Sequence, residues 1–283
     1  MLFVALAGIS GLVWGVGDFA GGKATQRAAA LPVAWLSKVV SLPLLALYLI
    51  AMYVPPHLGS LVWGALGGCV GIIGMMLFYQ ALSAGAMTVV APIAAVTSAA
   101  IPVIVGLASG ERPGALRLVG VGCALAAITL VSLAPKRPGE ISVITGRLIG
   151  LAVGSGVSFA LFFISLARAS DSAEGQAGLW PIAASQSSAL VVGAILLAVL
   201  RPGHWPKAIA LRWTLVAGPI DMTANAIYLL ATKYGDLSLV APLAALYPVT
   251  TVILALVVDH ERVRTRQVVG LVLALVALLL VSR

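Results

Sequence analysis

Asp221 lies near the centre of an apolar stretch, residues 211–232. An ionised carboxylate there costs about 3 kcal/mol or more unless it is solvated or paired. Asn225, Tyr228 and Thr232 follow at i+4, i+7 and i+11, so the four residues share one helical face. Such a face could wall a polar cavity, with Asp221 accepting a proton or acting as counter-ion to a cationic group. The alternative is a structural Asp hydrogen-bonded to neighbouring helices. Asp18 and Lys38 form a second charged pair inside apolar sequence. Asp18 lies roughly 6 Å of helix rise from the end of its segment and Lys38 roughly 10 Å from the start of the next. Consecutive spans run antiparallel, so the two charges fall at similar depth. An ion pair between them would offset much of both desolvation penalties, either as a fixed contact or as a gate that opens in one state.

Other candidates are softer. Trp14 precedes Asp18 by one helical turn and could wall the same cavity. Tyr247 and Thr251, and Thr97 and Ser98, follow a proline in two related segments and are candidate substrate contacts. Gln80, Gln186 and the face formed by Ser158, Phe162 and Ser165 rank below them, because polar residues in spans more often bond to backbone or neighbouring helices. His57, His204 and His260 are scattered in loops. Neither metal-ligand spacing nor a phosphate-binding glycine loop is present. The sequence therefore implies no metal, no cofactor and no enzyme active site.

These residues must be positioned by membrane helices. Of 283 residues, 61% are hydrophobic and 9% charged, with a mean hydropathy of +1.11. A soluble domain carries roughly a quarter of its residues as charged side chains, so this chain cannot cover its apolar mass with polar surface. About 20 apolar residues cross a bilayer as a helix, and ten such spans fit: 2–22, 31–53, 60–82, 87–108, 115–134, 146–168, 178–200, 211–232, 236–258 and 264–282. The net charge of +8 sits mostly in short loops and forms no patch for nucleic acid. Cys69 and Cys123 fall inside spans and read as small packing residues.

The chain repeats itself. Displaced by 150 positions, Ala91-Pro92-x-Ala94-Ala95 falls on Ala241-Pro242-x-Ala244-Ala245. In the same register Gly85 meets Gly235, Glu111-Arg112 meets Glu261-Arg262, and Gly120 meets Gly270. The Glu-Arg pairs read as local bonds that fix two similar turns. Residues 1–134 and 146–283 thus form two five-helix units joined by a polar link, 135–145. Five spans per unit is odd, so the second enters the membrane inverted. The expected fold is an all-α polytopic membrane protein of ten transmembrane helices in two inverted five-helix repeats. A site built at the interface between the halves is the usual consequence. The polar face from Asp221 is not repeated: Asp221, Asn225, Tyr228 and Thr232 overlay Gly71, Met75, Phe78 and Leu82. Glycine stripes at Gly64 and Gly68, Gly67 and Gly71, and Gly146, Gly150 and Gly154 predict close helix packing.

The string Trp14-Gly15-x-x-Asp18-Phe19-x-Gly21-Gly22, the paired Ala-Pro-x-Ala-Ala segments and the paired Glu-Arg turns resemble the drug/metabolite transporter superfamily, and within it the EamA-type branch. Asp221, Ala224-Asn225 and Leu246-Tyr247-Pro248 resemble a bacterial subgroup of that branch. The resemblance implies a carrier of the bacterial inner membrane that moves a small metabolite, often outward, by alternating access, commonly with protons or by exchange. A passive channel or a lipid-translocating protein is the alternative. The implied partners are a small-molecule substrate and the lipid bilayer; a homodimer is compatible with the reading but not required.

Orientation divides the two lines of reasoning. The resemblance implies cytoplasmic termini. With ten spans, Lys23, Arg27, Lys136, Arg137, Arg147, Arg201, Lys207, Arg212, Arg262, Arg264 and Arg266 share one side, and Arg112, Arg117, Arg168, Lys233 and Arg283 share the side of the termini. Basic residues favour the cytoplasmic side, so the charge count places both termini outside. A periplasm-active reporter fused after Arg283 should therefore be active; activity only from a cytoplasm-restricted reporter would reverse the orientation.

Overall fold

The computed structural model describes residues 1–83, 87–132, 145–173, 176–258 and 265–283. Most of the polar link and the segment with His260, Glu261 and Arg262 lie outside them. Eleven helices and no strand occur among the described residues: α1 (Leu2–Thr25), α2 (Ala30–Ala51), α3 (Leu58–Ser83), α4 (Met87–Ala108), α5 (Ala115–Ser132), α6 (Gly146–Asp171), α7 (Trp180–Leu200), α8 (Ile209–Thr232), α9 (Leu237–Ala244), α10 (Tyr247–Val258) and α11 (Thr265–Val281). Among the described residues, eight helical stretches are long and apolar enough to cross a bilayer, one of them running through α9 and α10 as Leu237–Leu254. The stretches Pro92–Ala108 and Thr265–Val281 are apolar but shorter. The chain is a multi-pass membrane protein.

The stretch expected as one span over 236–258 is broken into α9 and α10 at Ala245 and Leu246. Pro248 supplies the reason. It has no N–H for the carbonyl of Ala244, four residues back, and its ring crowds that carbonyl, so α9 ends at Ala244. The backbone tightens through the break, with Leu246 N–H donating to Leu243 O and Val249 N–H to Leu246 O, both three residues apart. In the first half the register of Pro248 is held by Ser98, and α4 passes through it unbroken despite Pro92 and Pro102.

Helices pack mainly across the halves: α1 on α8, α6 on α3, α3 on α7, α2 on α8, and α5 on α11. Lipid tails are as apolar as the helices, so close backbone approach has to select these partners, and glycines supply it. Gly120 of α5 sits against Leu280 and Val281 of α11, while Gly270 of α11 sits against Leu130 and Val131 of α5. The two contacts are related to each other by 150 positions, and the start of each helix meets the end of the other, so α5 and α11 are antiparallel. Gly11 of α1 faces the Ala244 carbonyl, as Gly156 of α6 faces that of Ala94. Gly64 and Gly68 press on Pro181 and Ser185 of α7, and Gly67 and Gly71 on α6. The stripe through Gly146, Gly150 and Gly154 is a correction: among the described residues the first two have open space where a side chain would stand, and Gly154 faces Leu77. The close approach on α6 falls on Gly156, on a different face.

Filling the reciprocal contact should loosen both ends of one interface. Gly120→Leu and Gly270→Leu are each expected to cost about 1–3 kcal/mol by overpacking, read as matching losses of melting temperature in detergent. Gly122→Leu, at a glycine with open space beside it, should leave it unchanged.

Candidate functional site

The charged centre forms where two glycines draw α1 and α2 onto α8. Gly218 packs directly on the backbone of Ser37, and one turn further along α8 the Asp221 carboxylate reaches the residue after Ser37. The Lys38 Nζ donates to Asp221 Oδ2 at 2.6 Å, with the side chains 19% and 31% exposed. On the other flank Gly17 of α1 abuts Ile220 and the backbone of Asp221, which brings Asp18 alongside.

This arrangement corrects the expected Asp18–Lys38 ion pair. Depth along the chain was read properly, but depth does not fix which way a helix face turns. The first two helices make few mutual contacts, whereas α2 packs on α8, so Lys38 meets Asp221 instead. Asp18 is exposed and has no hydrogen-bond or ion-pair partner among the described residues. It stands close enough to Asp221 for the two carboxylates to repel each other. The centre therefore holds one carboxylate paired with an ammonium and, beside it, a second without a pair.

A polar chain braces Lys38. Its carbonyl accepts from Ser41 Oγ at 2.8 Å, and Ser41 Oγ accepts from Gln186 Nε2 of α7 at 2.6 Å. Gln186, a minor candidate by sequence, thus supports the centre from behind. Ser41 was missed because one serine in an apolar span carries no signal until its neighbour is known.

The rest of the polar face on α8 turns into the protein. Asn225 is 5% exposed; its Nδ2 donates to the Asp221 carbonyl, while its buried Oδ1 has no partner among the described residues. Tyr228 is fully buried and donates to Phe163 O at 3.2 Å. Its ring, with those of Trp14 and Phe163, forms a cluster at centroid separations of 5.1–5.5 Å. Thr232 donates back to Leu229 O. The Phe162 ring lies beside Gly67 and Gly71, so Phe163 is the sixth-helix aromatic that joins the cluster. Tyr247 opens α10 with its hydroxyl facing Ser98 and in the field of Asp18. Thr251 donates to the carbonyls of Gly15 and Tyr247, tying α10 to α1.

Glu111 was read as fixing its own turn, and here the structure differs. Arg112 does that work, donating to the carbonyls of Leu107 and Glu111. The Glu111 carboxylate instead crosses to the second half, accepting from Leu237 N at 2.8 Å and Ser238 N at 2.9 Å.

Residues 146–283 match the model of the EamA-like transporter family, in agreement with the superfamily resemblance read from the sequence. The matched family is one of membrane transporters, which points away from an enzyme. No curated protein matches the sequence. A crystal structure described only as that of a protein shares 16% identity and superposes with a TM-score of 0.79, over 99% of this chain and 98% of the other. At that identity the likeness is one of fold alone.

The ion pair predicts non-additive mutations. Lys38→Met leaves two carboxylates without a counter-ion and is expected to cost about 1–2 kcal/mol, less than a fully buried pair because water reaches both groups. Asp221→Asn leaves Lys38 without its carboxylate and should cost a similar amount. The double variant should lose less than the sum; additive losses in detergent unfolding would mean that the pair does not form.

Proposed function

We propose, for a chain whose residues 146–283 match a transporter family, that the protein is a proton-linked secondary carrier of the bacterial inner membrane, moving a small polar or amphipathic metabolite outward by alternating access. One observation carries this reading: Lys38 pairs with Asp221, while Asp18, close enough to Asp221 for the two carboxylates to repel each other, has no partner of its own among the described residues. An intramembrane ion pair that is fully matched has little reason to change. An extra accessible carboxylate does, because a proton or a cationic group of the substrate can neutralise it, and occupancy by one excludes the other. In this reading Asp18 receives the proton or cation, and Asp221 and Lys38 form the adjacent pair whose partner can switch. Tyr247 and Trp14 flank the substrate, and Asn225 Oδ1 offers a further acceptor. Tyr228 holds the aromatic cluster in place by its bond to Phe163.

The same reading takes the architecture as ten spans in two inverted five-helix repeats, with the site between them near mid-membrane. The reciprocal Gly120 and Gly270 contacts and the antiparallel course of α5 and α11 support it. The outward direction is supported by the family resemblance. The working partners are the bilayer and a small molecule; a monomer contains every residue named. A passive channel would more naturally ring its pore with like polar groups from both halves. Here Asp221 overlays Gly71, which packs on Phe162.

Metabolite profiling of the medium from cells with and without the protein tests the reading. At least one metabolite should accumulate outside only when the protein is present, and Asp18→Asn should reduce that accumulation about tenfold or more. No reproducible difference between the two media would reject the exporter.

A further inference from the structure

One end of the bundle is shut by contacts from several helices. The α4–α5 turn reverses at Gly110, whose φ of +102° suits glycine. From that turn Ser109 accepts from Arg168 Nη2 of α6 at 2.8 Å, and Glu111 reaches α9. At the same end Gly235 packs on the Phe3 ring. The first free N–H groups of a helix need acceptors, and the residue before the first turn ordinarily supplies one. In α9 that residue, Asp236, makes no side-chain cap bond. The acceptor comes from the opposite half of the molecule, both Glu111 oxygens taking one N–H each, and charge-assisted bonds of this kind are the strong ones. Gly106 makes room for it: a Cβ there would collide with the Glu111 carboxylate and with Ser238 N.

Going inward along α1 from this end, the chain passes Phe3, then Trp14 in its aromatic cluster, and only then the exposed Asp18. The carboxylate centre is accessible on the far side of the aromatic cluster, while Ser238, beneath Glu111, is fully buried. We infer that Glu111 is the latch of this end of the carrier: its carboxylate holds the start of α9 against the α4–α5 turn, and opening that end requires both bonds to break. Splitting the acceptor and the helix it caps between two halves makes the cap a contact that domain motion can release.

This inference rests on the alternating-access reading, but its test needs no substrate, so the two can fail separately. In protein with Cys69 and Cys123 replaced by Ala, a membrane-impermeant maleimide is reacted with Ser238→Cys, buried under the latch, or with Gly21→Cys, at the other end of α1. Glu111→Ala should raise Ser238→Cys labelling about tenfold and slow that of Gly21→Cys, as the population moves from one open side to the other. Gly106→Ala, which displaces the carboxylate without removing it, should act in the same direction, and Glu111→Gln should fall between parent and Glu111→Ala. Unchanged Ser238→Cys labelling in Glu111→Ala overturns the latch. So does a parallel rise at both reporters, the mark of general loosening, which Gly106→Ala would then share.

Discussion

Helices in a bilayer gain nothing by exchanging lipid for another apolar helix, so what holds this protein together is how closely backbones can approach. Most of its architecture follows from that constraint. Glycines set the meeting points, and the most telling ones join opposite halves: Gly120 with Leu280 and Val281, Gly11 with Ala244, Gly156 with Ala94, Gly218 with Ser37. The last of these does more than pack. By bringing α2 to backbone contact with α8, it places Lys38 within 2.6 Å of Asp221. A side chain at Gly218 would push the two helices apart at the turn where the ion pair forms. Electrostatics at the centre is thus a product of backbone geometry one helical turn away.

The centre also differs from a stabilising ion pair in its count. A matched pair buried among helices is often no better for stability than apolar groups of the same size. Adding the Asp18 carboxylate creates an imbalance that the protein itself does not resolve among the described residues. Ser41, itself held by Gln186, fixes the backbone of Lys38, so the ammonium reaches Asp221 from a braced position.

The sequence was most legible where physics acts along one helix. Most helix positions, the Asp221 face and the similar depth of Asp18 and Lys38 followed from spacing alone. What depended on the azimuth of one helix against another did not. Lys38 was paired with the wrong carboxylate, the stripe at Gly146, Gly150 and Gly154 was read as an interface, and Tyr228 was read as cavity-facing where the structure buries its ring against Trp14 and Phe163. Glu111 was visible as a repeated residue, but its reach across to α9 had no sequence signal. A bend at Pro248 was legible as a proline inside an apolar span, but not that it would end α9 at Ala244 while Pro102 leaves α4 unbroken.

The difference at Ser98 and Pro248 has a mechanical consequence. The α4 helix is one continuous rod, whereas α9 and α10 meet at a joint at Ala245 and Leu246. A displacement at one end of α4 is carried along its whole length, whereas one applied to α9 can be taken up as a change of angle between α9 and α10.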